Sequence, residues 1–69
     1  MDTVKIHTEF ITLGQLLKFT NIASSGGDIK MILATKKITV DQEVENRRGR
    51  KIYKGMVVEI ESIGTFKVI

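Results

Sequence analysis

Hydrophobic and polar positions alternate along the first part of the chain. Val4 and Ile6 fall on one side with Lys5 and His7 on the other, which predicts a half-buried strand over residues 3–11. At Thr12 the period changes. Leu13, Leu16, Leu17 and Thr20 recur at i, i+3, i+4 and i+7, the stripe of a short amphipathic helix. Thr12 and Gln15 have capping-box spacing at its start. Asn21 tolerates the left-handed conformation that ends a helix, and Ile22 is placed to fold back on the last turn. A second helix follows almost at once. Ser24 and Ser25 are both candidate caps, Ser25 with Asp28 makes a weaker box, and Ile29, Ile32 and Leu33 repeat at helical spacing. So short a connection predicts a bent or antiparallel pair, with Leu16, Leu17, Ile29, Ile32 and Leu33 in the shared seam.

From Ile38 the period is two. Ile38 and Val40 flank Thr39, and Val44 sits between Glu43 and Glu45. Met56, Val58 and Ile60 alternate with Val57, Glu59 and Glu61, and Phe66 and Val68 predict a last strand after residues 62–64. Asp41-Gln42 reads as a two-residue turn, although Gln lacks the positive-φ tolerance of the usual Gly. Glu43, Glu45, Glu59 and Glu61 fall at alternate strand positions, so each pair is expected on one outer sheet face. Strand, two helices, then several short strands predicts an α+β fold, with two short helices packed on a small, mainly antiparallel sheet. At 69 residues the chain has room for one domain, residues 1–69. A fold of that size buries only about 60% of the surface its unfolded chain exposes, which disfavours a deep substrate cavity.

Composition removes several function classes. Without cysteine there is no disulfide framework and no thiol nucleophile. His7 is the sole histidine and has no Ser or Asp at a spacing that would pair with it. No P-loop is present, no apolar run approaches the roughly 18 residues that span a bilayer, and residues 1–12 lack the apolar block of a signal peptide. The expectation is a cytoplasmic protein that is not an enzyme and takes no cofactor or metal.

Eleven Lys and Arg against eight Asp and Glu give a net charge of +3, but the distribution says more than the sum. All three arginines lie in Arg47–Lys54 (RRGRKIYK), which contains no acid. Guanidinium forks match phosphate oxygens, and a dense single-sign field concentrates polyanions. Gly26-Gly27 at the start of the second helix would let a phosphodiester approach unpaired amides at the positive end of the helix dipole, and Lys30 lies one turn on. The same glycines would also serve a tight bend between helices. Lys36 and Lys37 follow that helix, where complementing its negative end is reason enough for them. Tyr53, between Lys51 and Lys54, could stack on an unpaired base or pack on a sheet face. Four aromatics in all make a multi-base stacking platform improbable, so backbone and shape recognition fit better.

The run from Ile11 to Ile60 resembles the S-four RNA-binding domain, named after ribosomal small-subunit protein four, and more narrowly its stand-alone bacterial subgroup of YaaA type. The resemblance is strongest over residues 11–60. Leu13-x-x-Leu16-Leu17-Lys18, Ser25-Gly26-Gly27-x-x-Lys30 and Arg47-Arg48-Gly49-Arg50-Lys51 carry it. It implies an αL motif, two helices on a small sheet, with the second helix and the loop after it facing structured RNA, and no catalysis by the domain. Position by position it assigns Ser25, Gly26, Gly27, Lys30, Arg47, Arg48, Arg50 and Lys51 to the RNA face. The charge argument adds Lys36, Lys37 and Lys54, and the stacking argument adds Tyr53. The hairpin departs from the family: Val40-Asp41-Gln42 stands where Val-Asn-Gly is usual. The function expected is an RNA-binding module docking on ribosomal or transfer RNA as a monomer, without membrane contact. Roughly four to six neutralised phosphates would make its affinity steeply salt-dependent. The alternatives are DNA binding in replication or repair, and a protein-interaction adaptor gripping an acidic partner.

Overall fold

The computed structural model describes residues 1–69. The alternating N-terminal segment is two strands, not one: β1 (Asp2–Val4) and β2 (Phe10–Thr12). The predicted alternation holds, since Val4 and Ile6 are buried while Lys5 and His7 are exposed. The chain nevertheless changes sheets between them. The Ile6 amide still reaches the Ile69 carbonyl at 2.9 Å, and the Thr8 hydroxyl then bonds the Phe10 carbonyl at 2.8 Å, a local turn that redirects the backbone.

Helices α1 (Leu13–Phe19) and α2 (Gly26–Thr35) follow. Thr12 and Gln15 form the capping box in full: the Gln15 amide donates to Thr12 Oγ1 and the Thr12 amide donates to Gln15 Oε1. Asn21 ends α1 with φ +63°, and the Ile22 amide folds back to the Leu17 carbonyl. At α2 the reciprocal contact is displaced. The Asp28 amide donates to Ser25 Oγ, but the Asp28 carboxylate accepts from the Ser24 amide and hydroxyl, one residue ahead of the cap.

Strands β3 (Ile38–Val40), β4 (Glu43–Val44), β6 (Val57–Ile60) and β7 (Gly64–Val68) join β1 in a sheet ordered β1-β7-β6-β3-β4. Only β1–β7 is parallel. The C-terminal segment is therefore interior to the sheet, and β1 and β4 are its edges. The remaining strand, β5 (Lys51–Tyr53), pairs antiparallel with β2 as a separate ribbon, with Ile11 opposite Ile52 and Thr12 opposite Lys51. One core of 15 buried side chains unites the layers, including Leu13, Leu16 and Leu17 of α1, Ile29 of α2, Ile52 of β5 and Val58, Ile60, Phe66 and Val68 of the sheet. Ile32 and Leu33 pack against it, half-buried.

The β3–β4 turn has φ +49° at Asp41 and +73° at Gln42. Asp41 has a reason to be there: its amide donates to the Val57 carbonyl at 2.8 Å, and its Oδ1 accepts from the Val57 amide at 2.9 Å. Gln42 makes no such bond and carries the left-handed cost of a β-carbon alone. Gln42→Gly is expected to raise stability by about 0.5–1 kcal/mol in a denaturant melt, without moving the binding properties.

Beyond the hairpin the structure corrects the strand reading. Glu45 does not share an outer face with Glu43. It turns inward and is 7% exposed, while Val44 is 69% exposed. A carboxylate takes the interior place over a valine because donors surround it there.

Candidate nucleic-acid interface

The segment between β4 and β5 is held from both sides. On one side lie the first amides of α1: Leu13 donates to the Arg50 carbonyl and Gly14 to the Arg48 carbonyl, both at 2.9 Å. These donors therefore satisfy the loop and α1 offers no free amide cluster. On the other side lies Glu45. Its carboxylate accepts from the amides of Asn46 and Arg47, from Arg47 Nε and Nη2, and from Arg50 Nη1, all within 3.1 Å. The side-chain and backbone bonds from Arg47, with a further bond from Arg50, hold its carboxyl well below the usual range. The same partnership raises Arg47.

Asp28 is also lowered, by its bonds from Ser24. Groups depressed in the fold stabilise it above their ordinary values, 4.5 for Glu45 and 3.8 for Asp28, and lose that contribution as pH falls. The denaturation midpoint should therefore be level from neutral pH to about pH 5 and decline below about pH 4.5. Glu45→Gln should flatten much of that decline in urea melts taken across pH.

Arg48 differs from its neighbours. It makes no ion pair, and no acceptor engages its guanidinium. Its stem crosses the start of α1 so closely that a Cβ on Gly14 would stand 3.0 Å from Arg48 Cγ. Its head reaches the start of α2, where a Cβ on Gly26 would stand 3.6 Å from Nη2. The amides of Gly26 and Gly27 donate to no protein acceptor. Gly26, Gly27, Lys30, Leu33, Ala34, Asn46 and Arg48 line one open cleft of about 540 Å³. The arginine-rich loop and the glycine-lined helix start thus converge, through Arg48 alone among the arginines.

The other sequence candidates stand elsewhere. Ser25 is the N-cap of α2. Lys36 and Lys37 lie past the far end of α2, roughly 15 Å along the helix from Gly26, and Lys37 borders a groove on the open sheet face with Glu59 and Glu61. Lys51 and Tyr53 project from the outer face of the β2–β5 ribbon: Lys51 Nζ lies 5.0 Å from the centroid of the Phe10 ring, and Tyr53 tilts against the same ring at 5.5 Å. Lys54 is exposed in the turn after β5.

Three participants were not legible as site residues in the sequence: Glu45, Asn46 and Gly14. For Gly14 the signal was a glycine inside a helical stripe, which marks close approach of another segment. For Glu45 it was an acid two residues ahead of the arginine cluster. No cluster of three or more His, Cys, Asp or Glu forms, and no helix is long and apolar enough to cross a membrane.

The family model of the S4 domain matches residues 4–69, extending past the segment whose motifs carry the resemblance. The probable ribosome maturation protein RlbA of Bacillus subtilis is 50% identical over 68 residues, which cover 99% of this chain and 96% of that protein. With two helices on a mainly antiparallel sheet and this agreement along nearly its whole length, the chain belongs to the S4 family of RNA-binding domains.

Proposed function

We propose that the protein is a non-catalytic module that docks on structured RNA, ribosomal or transfer, through the cleft between Arg48 and the start of α2, and that it serves ribosome maturation as the name of its relative RlbA describes. The observation that carries this reading is the unpaired Arg48 guanidinium beside Gly26, in one cleft with Lys30. A phosphate seated there meets the Arg48 fork, the free amides of Gly26 and Gly27, the Lys30 ammonium and the positive end of a ten-residue helix. Lys51 and Lys54 extend the positive field along the neighbouring ribbon, which suits a duplex read by its backbone. The small, open clefts and the isolated, exposed His7 favour binding over chemistry.

Gly26→Ala tests this without disturbing the fold. The added methyl meets Arg48 at ordinary contact distance, and Ala suits a helix start at least as well as Gly. It does occupy the space a phosphate needs. The expected result, by fluorescence anisotropy with folded ribosomal RNA fragments and transfer RNA at several salt concentrations, is a several-fold loss of affinity with an unchanged denaturation midpoint. Unaltered affinity would remove the cleft as the site.

A further inference from the structure

The three arginines of the loop are not equivalent, and the difference originates in one carboxylate. Glu45 offers roughly four lone-pair sites, and its donors saturate them: the Asn46 and Arg47 amides and Arg47 Nε on Oε2, Arg47 Nη2 and Arg50 Nη1 on Oε1. Arg47 meets it with the Nε–Nη2 edge, at 3.0 and 2.9 Å. That is a side-on bidentate pair, and the same edge would otherwise grip a phosphate. Although 72% of the Arg47 side chain is exposed, this fork is engaged within the protein. Arg50 is less exposed and shares the same oxygen.

We propose that Glu45 is a positioning residue of the RNA site: by holding the fork of Arg47 and one arm of Arg50 it leaves Arg48 as the one guanidinium of the loop without a protein partner, and it fixes the backbone from which Arg48 reaches across both helix starts. This inference rests on the RNA-binding reading of the cleft. The backbone bonds show how the aim is set. The Glu45 amide ties the loop to Ile38 of β3, the Arg50 amide closes a turn on the Arg47 carbonyl at 3.2 Å, and the Arg48 carbonyl is fixed by Gly14. Arg48 therefore sits on a segment clamped before and after it, so less loop ordering remains to be done on binding.

A second consequence concerns selectivity. Three mobile guanidiniums would attract any polyanion. One unpartnered guanidinium on an anchored backbone beside a helix start, with its neighbours partly neutralised, favours a phosphate presented at a set position by a folded RNA. Glu45 thus exchanges non-specific attraction for shape discrimination.

The test uses a transfer RNA pool as the structured probe and poly(U) as the unstructured one. In the intact protein, the Arg48 Nε–H resonance should shift on addition of transfer RNA while that of Arg47 keeps its free-protein position. Glu45→Gln should raise poly(U) affinity several-fold, steepen its salt slope by about 1–2 through the two released arginines, and lower the preference for transfer RNA. Equal movement of the Arg47 and Arg48 signals would overturn the proposal, as would wild-type slopes and selectivity in a folded Glu45→Gln variant. If that variant does not fold, the resonances of the intact protein decide alone. Transfer RNA binding with all three arginine signals moving strikes only the role of Glu45. Failure of the intact protein to bind transfer RNA overturns this proposal together with the reading beneath it.

Discussion

Arg48→Ala is expected to weaken binding to structured RNA by about 1.5–3 kcal/mol, roughly 10- to 150-fold, the worth of hydrogen bonds to a charged group. The same variant should leave stability within about 0.5 kcal/mol of the parent, because Arg48 has no side-chain bond or ion pair to lose and is exposed. The slope of log affinity against log salt should flatten by about 1, the signature of a lost phosphate contact. Anisotropy titrations at four or five salt concentrations, with a urea melt beside them, measure all three quantities. A loss of affinity with no change in slope would show that Arg48 acts other than on a phosphate. This separation of affinity from stability follows from where the side chain lies: over two helix starts, outside the core.

Ile52→Ala should do the opposite and remove stability first. Ile52 is fully buried and faces Ile11 across the β2–β5 ribbon. Truncating it removes burial and leaves a cavity, together about 2–5 kcal/mol. A domain of this length has only about 3–10 kcal/mol in total, at roughly 0.05–0.15 kcal/mol per residue. The expected result is a protein largely or wholly unfolded at 37 °C, measured by circular dichroism and urea denaturation. RNA binding should disappear in step, because Ile52 ties to the core the ribbon that carries Lys51 and from which the Arg48 loop departs. If binding survived in a variant that no longer melts cooperatively, the loop would be acting as a charged peptide and its placement by the fold would be irrelevant.

The elements that were legible in the sequence are those governed by local rules. Thr12 with Gln15, and Asn21 with Ile22, specify α1 through bonds spanning three to five residues. Asp41-Gln42 was readable as a turn because a strand pattern resumes on the far side, even though Gln42 is an unusual residue at φ +73°. Period-two alternation placed Val58, Ile60, Phe66 and Val68 in the core, where they are found. What escaped depended on contacts distant along the chain. The change of sheet between β1 and β2 is fixed by pairing with β7 and β5, about forty residues away or more, and no local pattern records it. The inversion at Val44 and Glu45 has a similar origin. Hydrophobicity alone puts the valine inside, and only the geometry of Arg47 and Arg50 around one point makes the carboxylate the better interior residue. Arginine clustering pointed to the loop that borders the cleft at the start of α2. It did not distinguish the guanidinium left free from those held by Glu45, because that distinction depends on side-chain direction and not on composition.

Crosslinking of the protein to RNA by ultraviolet light in living cells, followed by mass spectrometry of the nucleotide-bearing peptides, tests whether the cleft between Arg48 and the start of α2 is where RNA docks. Ribosomal or transfer RNA is expected on the protein, with attachment sites within Ser25–Lys30 and Asn46–Arg48, the two segments that border the cleft. Attachment confined to the open sheet face around Thr39, Glu59 and Thr65, or recovery of the protein without RNA, would contradict it.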